Sequence, residues 1–92
     1  MSSAQSFNSV WEALEDDPVR RENLRLRSTL MIAISEKIKS DGLTQMAAAE
    51  ILHVSQPRVS ALLNGKIEAF RLDALVDMAH RLGLHVSLEV AA

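Results

Sequence analysis

Residues 44–65 of the chain read TQMAAAEILHVSQPRVSALLNG, and their spacing predicts two short helices joined by a tight turn. Thr44 can cap the first helix, because its hydroxyl can accept a hydrogen bond from a backbone N–H in the first turn. Behind it, apolar side chains recur at helical spacing on one face, at Met46, Ala49 and Leu52. The first helix is therefore predicted to bury this face against the rest of the protein.

The second helix follows a three-residue break at residues 53–55. Ser55 can cap this helix, and Pro57 falls in its first turn, where a backbone without an N–H loses no hydrogen bond. Gly65 is predicted to end the helix as its C-cap. The predicted buried stripe of the second helix consists of Val59, Leu62 and Leu63.

The opposite side of the second helix, here called the outer face, carries small and polar side chains. Its residues are Gln56, Pro57, Ser60, Ala61 and Asn64. No acidic residue occurs between residues 55 and 65. Such a face suits a helix that lies in the major groove of DNA, because a carboxylate there would meet the phosphates.

Residue by residue, this segment resembles the helix-turn-helix of the Xre, or phage-repressor-like, family. Gln45 matches the glutamine that opens the first helix of that motif, Ala49 matches its central small residue, and residues 64–66 match the closing Asn-Gly-Lys. His53 departs from the pattern, because it stands where the family usually has a turn glycine in the left-handed region. Histidine tolerates that region better than most side chains do. The resemblance implies an all-α, five-helix Xre/lambda-repressor-like domain that binds DNA.

A wider resemblance covers about residues 6–90. The stretch SFNSVWEALEDDPVRRENLRLRSTLM at residues 6–31 and HVSLEV at residues 85–90 are similar to a small branch of Xre-type regulators. Members of that branch are commonly described as HigA-like antitoxins of type II toxin–antitoxin pairs. The resemblance implies a homodimer that represses its own operon and binds a RelE/ParE-like ribonuclease toxin. Composition and spacing by themselves point to no toxin.

If the second helix reads DNA, its polar side chains divide into two groups. Base contacts are predicted for Gln56, Arg58 and Ser60, since a glutamine amide pairs with adenine and a guanidinium with guanine. Phosphate contacts, which fix the register, are predicted for Gln45, Ser55, Asn64 and Lys66. For Arg58, which lies toward the flank of the helix, a phosphate contact is an equal alternative. A solvated polar face on a structural hairpin is the alternative for the whole surface.

Length and composition favour one small helical domain. The chain has 92 residues, of which 48% are hydrophobic and none is cysteine. Disulfides, thiolate zinc sites and cysteine nucleophiles are thereby excluded. No stretch approaches the roughly 20 apolar residues of a membrane span, and the first residues lack the pattern of a secretory signal. A cytoplasmic location is expected.

The charge is unevenly distributed along the chain. The formal net charge is −2, yet residues 18–71 contain nine Lys and Arg against five Asp and Glu. The remaining seven acidic residues lie before and after this stretch, with one basic residue. Because a local basic surface governs phosphate contact more than the total charge does, the net charge leaves DNA binding open.

Residues 1–17 are predicted to form a polar tail and a short helix. Apolar side chains follow helical spacing there, at Phe7, Val10, Trp11 and Leu14. The same segment carries four carboxylates. An acidic surface with Phe7, Trp11 and Leu14 suits a basic toxin, because RNA-cleaving toxins must be basic. The alternative is that these side chains pack on the protein's own core.

Residues 18–92 are predicted to form the helix-turn-helix domain with a C-terminal strand. Asp17 and Pro18 are expected to open a long helix that ends at Asp41, residues 67–70 to form a linker, and a last helix to run from Leu72 to Gly83. In residues 84–90, here called the C-terminal segment, apolar residues alternate with polar ones, which is typical of a half-buried strand. The apolar positions are Leu84, Val86, Leu88 and Val90.

A single strand in a helical chain has no partner in its own sequence. We therefore expect the C-terminal segment to pair with its copy in a second subunit and to form a two-fold dimer. The alternative is an extended tail packed on the helices.

Catalysis, cofactors and metal binding are not expected. The three histidines, His53, His80 and His85, lack cysteine partners and a spacing of four residues, so they do not form a metal-binding pattern. The sequence has no Gly-rich phosphate loop and no nucleophile motif. Two other functions stay open beside an antitoxin that represses its own operon: a protein-interaction module without DNA binding, which the short Ala61 on the outer face favours, and a phage-type repressor with no toxin.

Overall fold

The computed structural model describes residues 17–92, and this part of the chain is all-helical. It contains four α-helices and one turn of 3₁₀ helix: α1 (Pro18–Ser40), α2 (Gln45–Leu52), α3 (Gln56–Leu63), the 3₁₀ turn (Ile67–Ala69) and α4 (Leu72–Arg81). Four of the five predicted helices are therefore present. The fifth, together with Phe7, Trp11 and Leu14, lies outside the described residues.

The long helix α1 is the central element of the fold. Its start is as predicted: the side chain of Asp17 accepts a hydrogen bond from the backbone N–H of Arg20 at 3.1 Å, and a proline occupies the first turn. At ~1.5 Å per residue its 23 residues span about 34 Å. One stripe of the helix is buried, at Leu24, Met31, Ile34 and Ile38. This stripe packs chiefly against α4 and, to a lesser extent, against α3 and the 3₁₀ turn.

The linker, residues 67–70, contributes to the core, which the sequence did not lead us to expect. Ile67 is 5% exposed and Phe70 is fully buried. Ile67 opens the 3₁₀ turn, and Phe70 follows the turn in an extended conformation, with its backbone N–H donating to the carbonyl oxygen of Ile67 at 3.4 Å. The linker is therefore packed between helices and does more than connect them.

The predicted apolar face of α2 differs from the observed one at its edge. Ala49 and Leu52 are buried as predicted, whereas Met46 is 64% exposed and Ala48 is fully buried. Short helices that are rich in apolar residues fit more than one face by spacing alone. Packing against neighbouring helices decides which face is buried.

The end of α3 lies one residue earlier than predicted. Asn64 is the C-cap, and Gly65 follows it with a φ of +71°. The backbone N–H of Lys66 donates to the carbonyl oxygen of Ala61 at 3.0 Å, and that of Gly65 donates to Leu62 at 3.1 Å. These two bonds form a Schellman motif.

The same motif ends α2, with His53 in the glycine position. His53 has φ 57° and ψ 42°, and among the described residues it is the one non-glycine residue with positive φ. The backbone N–H of Val54 donates to Ala49 at 3.1 Å, which completes the motif. Histidine thus adopts the left-handed conformation that the resemblance to the Xre motif requires at this turn, although its Cβ makes that conformation less favourable than it is for glycine.

The C-terminal segment forms no strand in the single chain. Residues 84–92 have no regular secondary structure, and no strand occurs anywhere in residues 17–92. Leu84 packs against the core, whereas Leu88 is 81% and Val90 85% exposed. A strand requires a hydrogen-bonded neighbour, and the helices of one chain offer none. The packed-tail alternative holds for Leu84 but not for the residues at the far end.

His53→Gly is expected to raise the free energy of unfolding by about 0.5–1 kcal/mol. Glycine adopts the left-handed conformation without a Cβ clash, which stabilises the folded state. The greater conformational entropy of glycine in the unfolded chain offsets part of that effect. Urea unfolding measures the change. His53→Ala keeps the Cβ and is the control, with an expected change within about 0.5 kcal/mol. A His53→Gly variant no more stable than the original would mean that the imidazole makes a compensating contact.

Candidate nucleic-acid interface

The two helices of the motif are capped by the residues that the sequence indicated. The hydroxyl of Thr44 accepts a hydrogen bond from the backbone N–H of Ala47 at 3.1 Å. The hydroxyl of Ser55 accepts one from the backbone N–H of Arg58 at 3.3 Å. Val54, in the turn, is half-buried and packs against the core. The turn between α2 and α3 is therefore short and fixed at both ends.

The helix α3 is held by its inner side. Val59 and Leu62 are buried, and Leu63 packs partly against the same core. On the outer face, Gln56 and Pro57 are exposed at the N-terminal end of the helix. The helix therefore presents its first turn to solvent while its apolar stripe faces the protein.

Farther along the outer face, two predicted contact residues are hydrogen-bonded to each other. The side-chain amide of Asn64 donates to the hydroxyl oxygen of Ser60 at 3.3 Å. The Ser60 hydroxyl keeps its own proton for a further partner. Ser60 and Ala61 are half-buried and Asn64 is exposed. The middle of the outer face is therefore less exposed to solvent than Gln56 and Pro57 at its start.

The remaining predicted phosphate contacts flank the outer face. Gln45 is exposed at the first position of α2, directly after its cap, and Lys66 is exposed directly after the end of α3. Ser55 is exposed and uses its hydroxyl oxygen to cap α3. The structure thus brings the seven predicted contact residues to α3 and to the two chain segments beside it.

Arg58 makes contacts within the protein that its sequence position did not indicate. Its guanidinium carbon lies 4.4 Å from the centre of the Phe70 ring, and its Nη1 donates to the carbonyl oxygen of Ala69 at 3.2 Å. The side chain is half-buried. The base contact predicted for Arg58 stays a prediction, and the guanidinium already has partners in the linker.

Glu68 is the only acidic residue between residues 55 and 72, and a basic side chain neutralises it. The Nη2 atom of Arg20 lies 2.9 Å from both carboxylate oxygens. The pair is about half exposed, so its contribution to stability is small. The pairing neutralises the one carboxylate of the linker, next to the exposed Lys66. Arg71, the exposed basic residue that follows the linker, has its Nε 3.9 Å from Oδ1 of Asp73 and is not assigned to the interface.

One further ion pair, near the start of α1, shifts the pKa values of its two groups. A hydrogen bond and the charge of Arg25 lower the pKa of Glu22, and the same contact raises the pKa of Arg25. Both groups are exposed. The pair lies on one helix and holds no part of the candidate interface.

In residues 17–92, no group of three or more metal-ligating side chains is close enough to hold a metal ion. No helix in the same residues is long and apolar enough to cross a membrane.

Comparisons with known proteins agree with this geometry. A helix-turn-helix domain family matches residues 13–91. A solved structure described as a candidate XRE-family transcriptional regulator matches with 32% sequence identity and a TM-score of 0.74, covering 79% of this chain and 82% of the other. The chain belongs to the XRE family of helix-turn-helix regulators. None of the curated proteins matches it.

Membership of the XRE family confirms the coarse expectation drawn from residues 44–65. This XRE-family chain is a helix-turn-helix regulator of the DNA-binding type. The individual contacts assigned to Gln56, Ser60 and Lys66 stay predictions.

Proposed function

We propose that this XRE-family protein is a sequence-specific repressor that reads the major groove with α3. The observation that carries the proposal is the division of α3 into a buried side, at Val59 and Leu62, and an exposed first turn that begins with Gln56. In this type of motif the N-terminal end of the second helix contacts the base edges.

Gln56 is the principal base-reading residue in this proposal. It is the first residue of α3 and is exposed, and its amide can form two hydrogen bonds with an adenine. Ser60 lies one turn farther along the same face and keeps a hydroxyl proton for a base or a bridging water. The two side chains would read neighbouring base pairs.

The phosphate contacts of the proposal lie on both sides of α3. Gln45 and Ser55 stand at helix N-termini, where the helix dipole favours an anion. Asn64 and Lys66 stand at the other end of α3, and Lys66 adds a full positive charge. These contacts would fix the register of Gln56 on the duplex.

A homodimer is the second part of the proposal. The C-terminal segment supports it, because Leu88 and Val90 expose apolar side chains and no β partner exists within residues 17–92. Pairing through Leu84, Val86, Leu88 and Val90 in two copies would give a two-stranded sheet. The two α3 helices would then contact half-sites of a near-palindromic operator ~34 Å apart.

The finer assignment is an autorepressing antitoxin that neutralises a RelE/ParE-like ribonuclease toxin. Its support is the resemblance to HigA-like proteins and the acidic character of residues 12–17. Phe7, Trp11 and Leu14 are the proposed toxin contacts.

Co-expression with the product of the adjacent gene tests this assignment. We expect the protein to restore the growth that the toxin stops and to form a stable complex with it. Trp11→Asp should abolish the rescue while operator binding persists. An adjacent gene that encodes no small basic protein favours a phage-type repressor.

Gln56→Ala is expected to weaken binding to the native operator by ~1–3 kcal/mol and to relax preference at one base pair, because the amide contacts to a base edge are lost. Fluorescence anisotropy with duplex from the gene's upstream region, a scrambled duplex and two salt concentrations measures this. Gln45→Ala is the matched control and should weaken both duplexes alike. If Gln56→Ala loses equal affinity for both duplexes, Gln56 does not read a base. If the unsubstituted protein binds both duplexes weakly and added salt abolishes the binding, the repressor proposal is wrong.

Lys66→Ala is expected to weaken binding to all duplexes and to lower the salt slope by ~1, since one phosphate contact is lost. The same titrations at several salt concentrations give the slope. Lys66→Arg keeps the charge and should keep the slope. An unchanged slope in Lys66→Ala means that Lys66 does not touch a phosphate.

Leu88→Asp is expected to convert a dimer into a monomer, because it places a charge on the apolar side of the paired segments. Sedimentation equilibrium measures the mass. Ser87→Asp adds the same charge at the alternate, polar position and should leave the dimer intact. A monomeric unsubstituted protein, or a dimer that survives Leu88→Asp, rules out this interface.

A further inference from the structure

We infer that Arg58 is a positioning residue, which fixes α3 against the linker so that Gln56 and Lys66 meet the DNA in one arrangement. This rests on the proposed function, because it assigns to Arg58 a role in presenting the proposed DNA contacts and not a contact of its own. The supporting observation is that one guanidinium touches two consecutive linker residues, Ala69 and Phe70.

The contact joins two elements that are separate in the chain. Arg58 lies in the first turn of α3, and its backbone N–H closes the cap with Ser55. Its side chain then crosses to the linker, where it covers the ring of the fully buried Phe70 and donates to the Ala69 carbonyl oxygen. The residue therefore links the base-reading end of α3 to the segment that follows the other end of the helix.

The linker is also held from its other neighbour. Arg20, on α1, contacts both carboxylate oxygens of Glu68. Three consecutive linker residues thus have partners on two helices. Because Lys66 directly precedes the linker, we expect these contacts to fix the spacing between Lys66 and Gln56.

The chemistry of the contact favours arginine over lysine. A planar guanidinium can lie over an aromatic ring and donate in its own plane at the same time. A lysine ammonium would keep the charge but would lack the planar face and the fixed direction of its donors. The proposal therefore separates Arg58→Lys from a role in which only the charge matters.

Operator binding tests the inference with Arg58→Lys and Arg58→Met. We expect both variants to bind the native duplex about five- to tenfold more weakly, on the order of one lost hydrogen bond and one cation–π contact, because the linker must then be ordered on binding. Arg58→Lys should keep the wild-type salt slope. Near-wild-type affinity in Arg58→Lys together with a slope lowered by ~1 in Arg58→Met would identify a phosphate contact and overturn the inference. A loss confined to one base pair would identify a base contact and would also overturn it.

A measurement without DNA tests the contact independently. In the free protein, the Nε–Hε signal of Arg58 should carry a ring-current shift that disappears in Phe70→Leu, and the backbone amide signals of residues 66–71 should move in Arg58→Met. Arg25→Met is the matched control, since Arg25 pairs with Glu22 on α1, and it should leave those signals in place. Unmoved linker signals together with wild-type operator affinity in Arg58→Met would overturn the inference, even if the melting temperature falls.

The operator-binding and NMR measurements together separate this inference from the proposed function. If the unsubstituted protein does not distinguish its operator from scrambled DNA, the repressor proposal fails, and the linker signals still report whether Arg58 holds the linker. If the protein does distinguish them and the Arg58 variants bind as it does, only the positioning role fails.

Discussion

The close packing of α2 against α3 is the constraint on which the candidate interface depends. Ala48 on α2 and Val59 on α3 are both fully buried in the same core. The distance between two helix axes follows the size of the side chains at their contact, and an alanine side chain ends at Cβ. A larger side chain at position 48 would overpack the core that Ala48 shares with Val59 and strain the helices packed there. The position of α3, and with it of the exposed Gln56, therefore depends on the close packing of buried side chains.

The boundaries of the motif could be predicted from the sequence because their signals are local. Thr44 and Ser55 act on backbone groups three residues away, and the left-handed turn at His53 is set by hydrogen bonds within five residues. The buried faces were predicted less well. Met46 is exposed and Phe70 is buried because the surrounding helices decide both outcomes, and spacing along one helix carries no information about those neighbours.

At the candidate interface, too, local features could be predicted from the sequence and contacts between distant residues could not. The exposed side of α3 follows from helical spacing once Val59 and Leu62 are buried, so Gln56 and Asn64 were placed correctly on the surface. The contacts of Arg58 lie 11 and 12 residues away in the linker, in a segment that had been interpreted as a simple connection. The C-terminal segment is a different case, because its alternating pattern calls for a strand partner that one chain does not contain.

The charge distribution bears on how such a regulator would select its operator. With a net charge of −2, the whole chain has little long-range attraction for DNA, and Arg20 neutralises the one carboxylate in the linker. Sequence-independent binding comes almost entirely from phosphate contacts with basic side chains. A protein with few such contacts gains less on random DNA, so base contacts and the pairing of two half-sites must supply a larger share of its operator affinity. Such a protein is expected to have a high ratio of specific to non-specific binding and only modest absolute affinity.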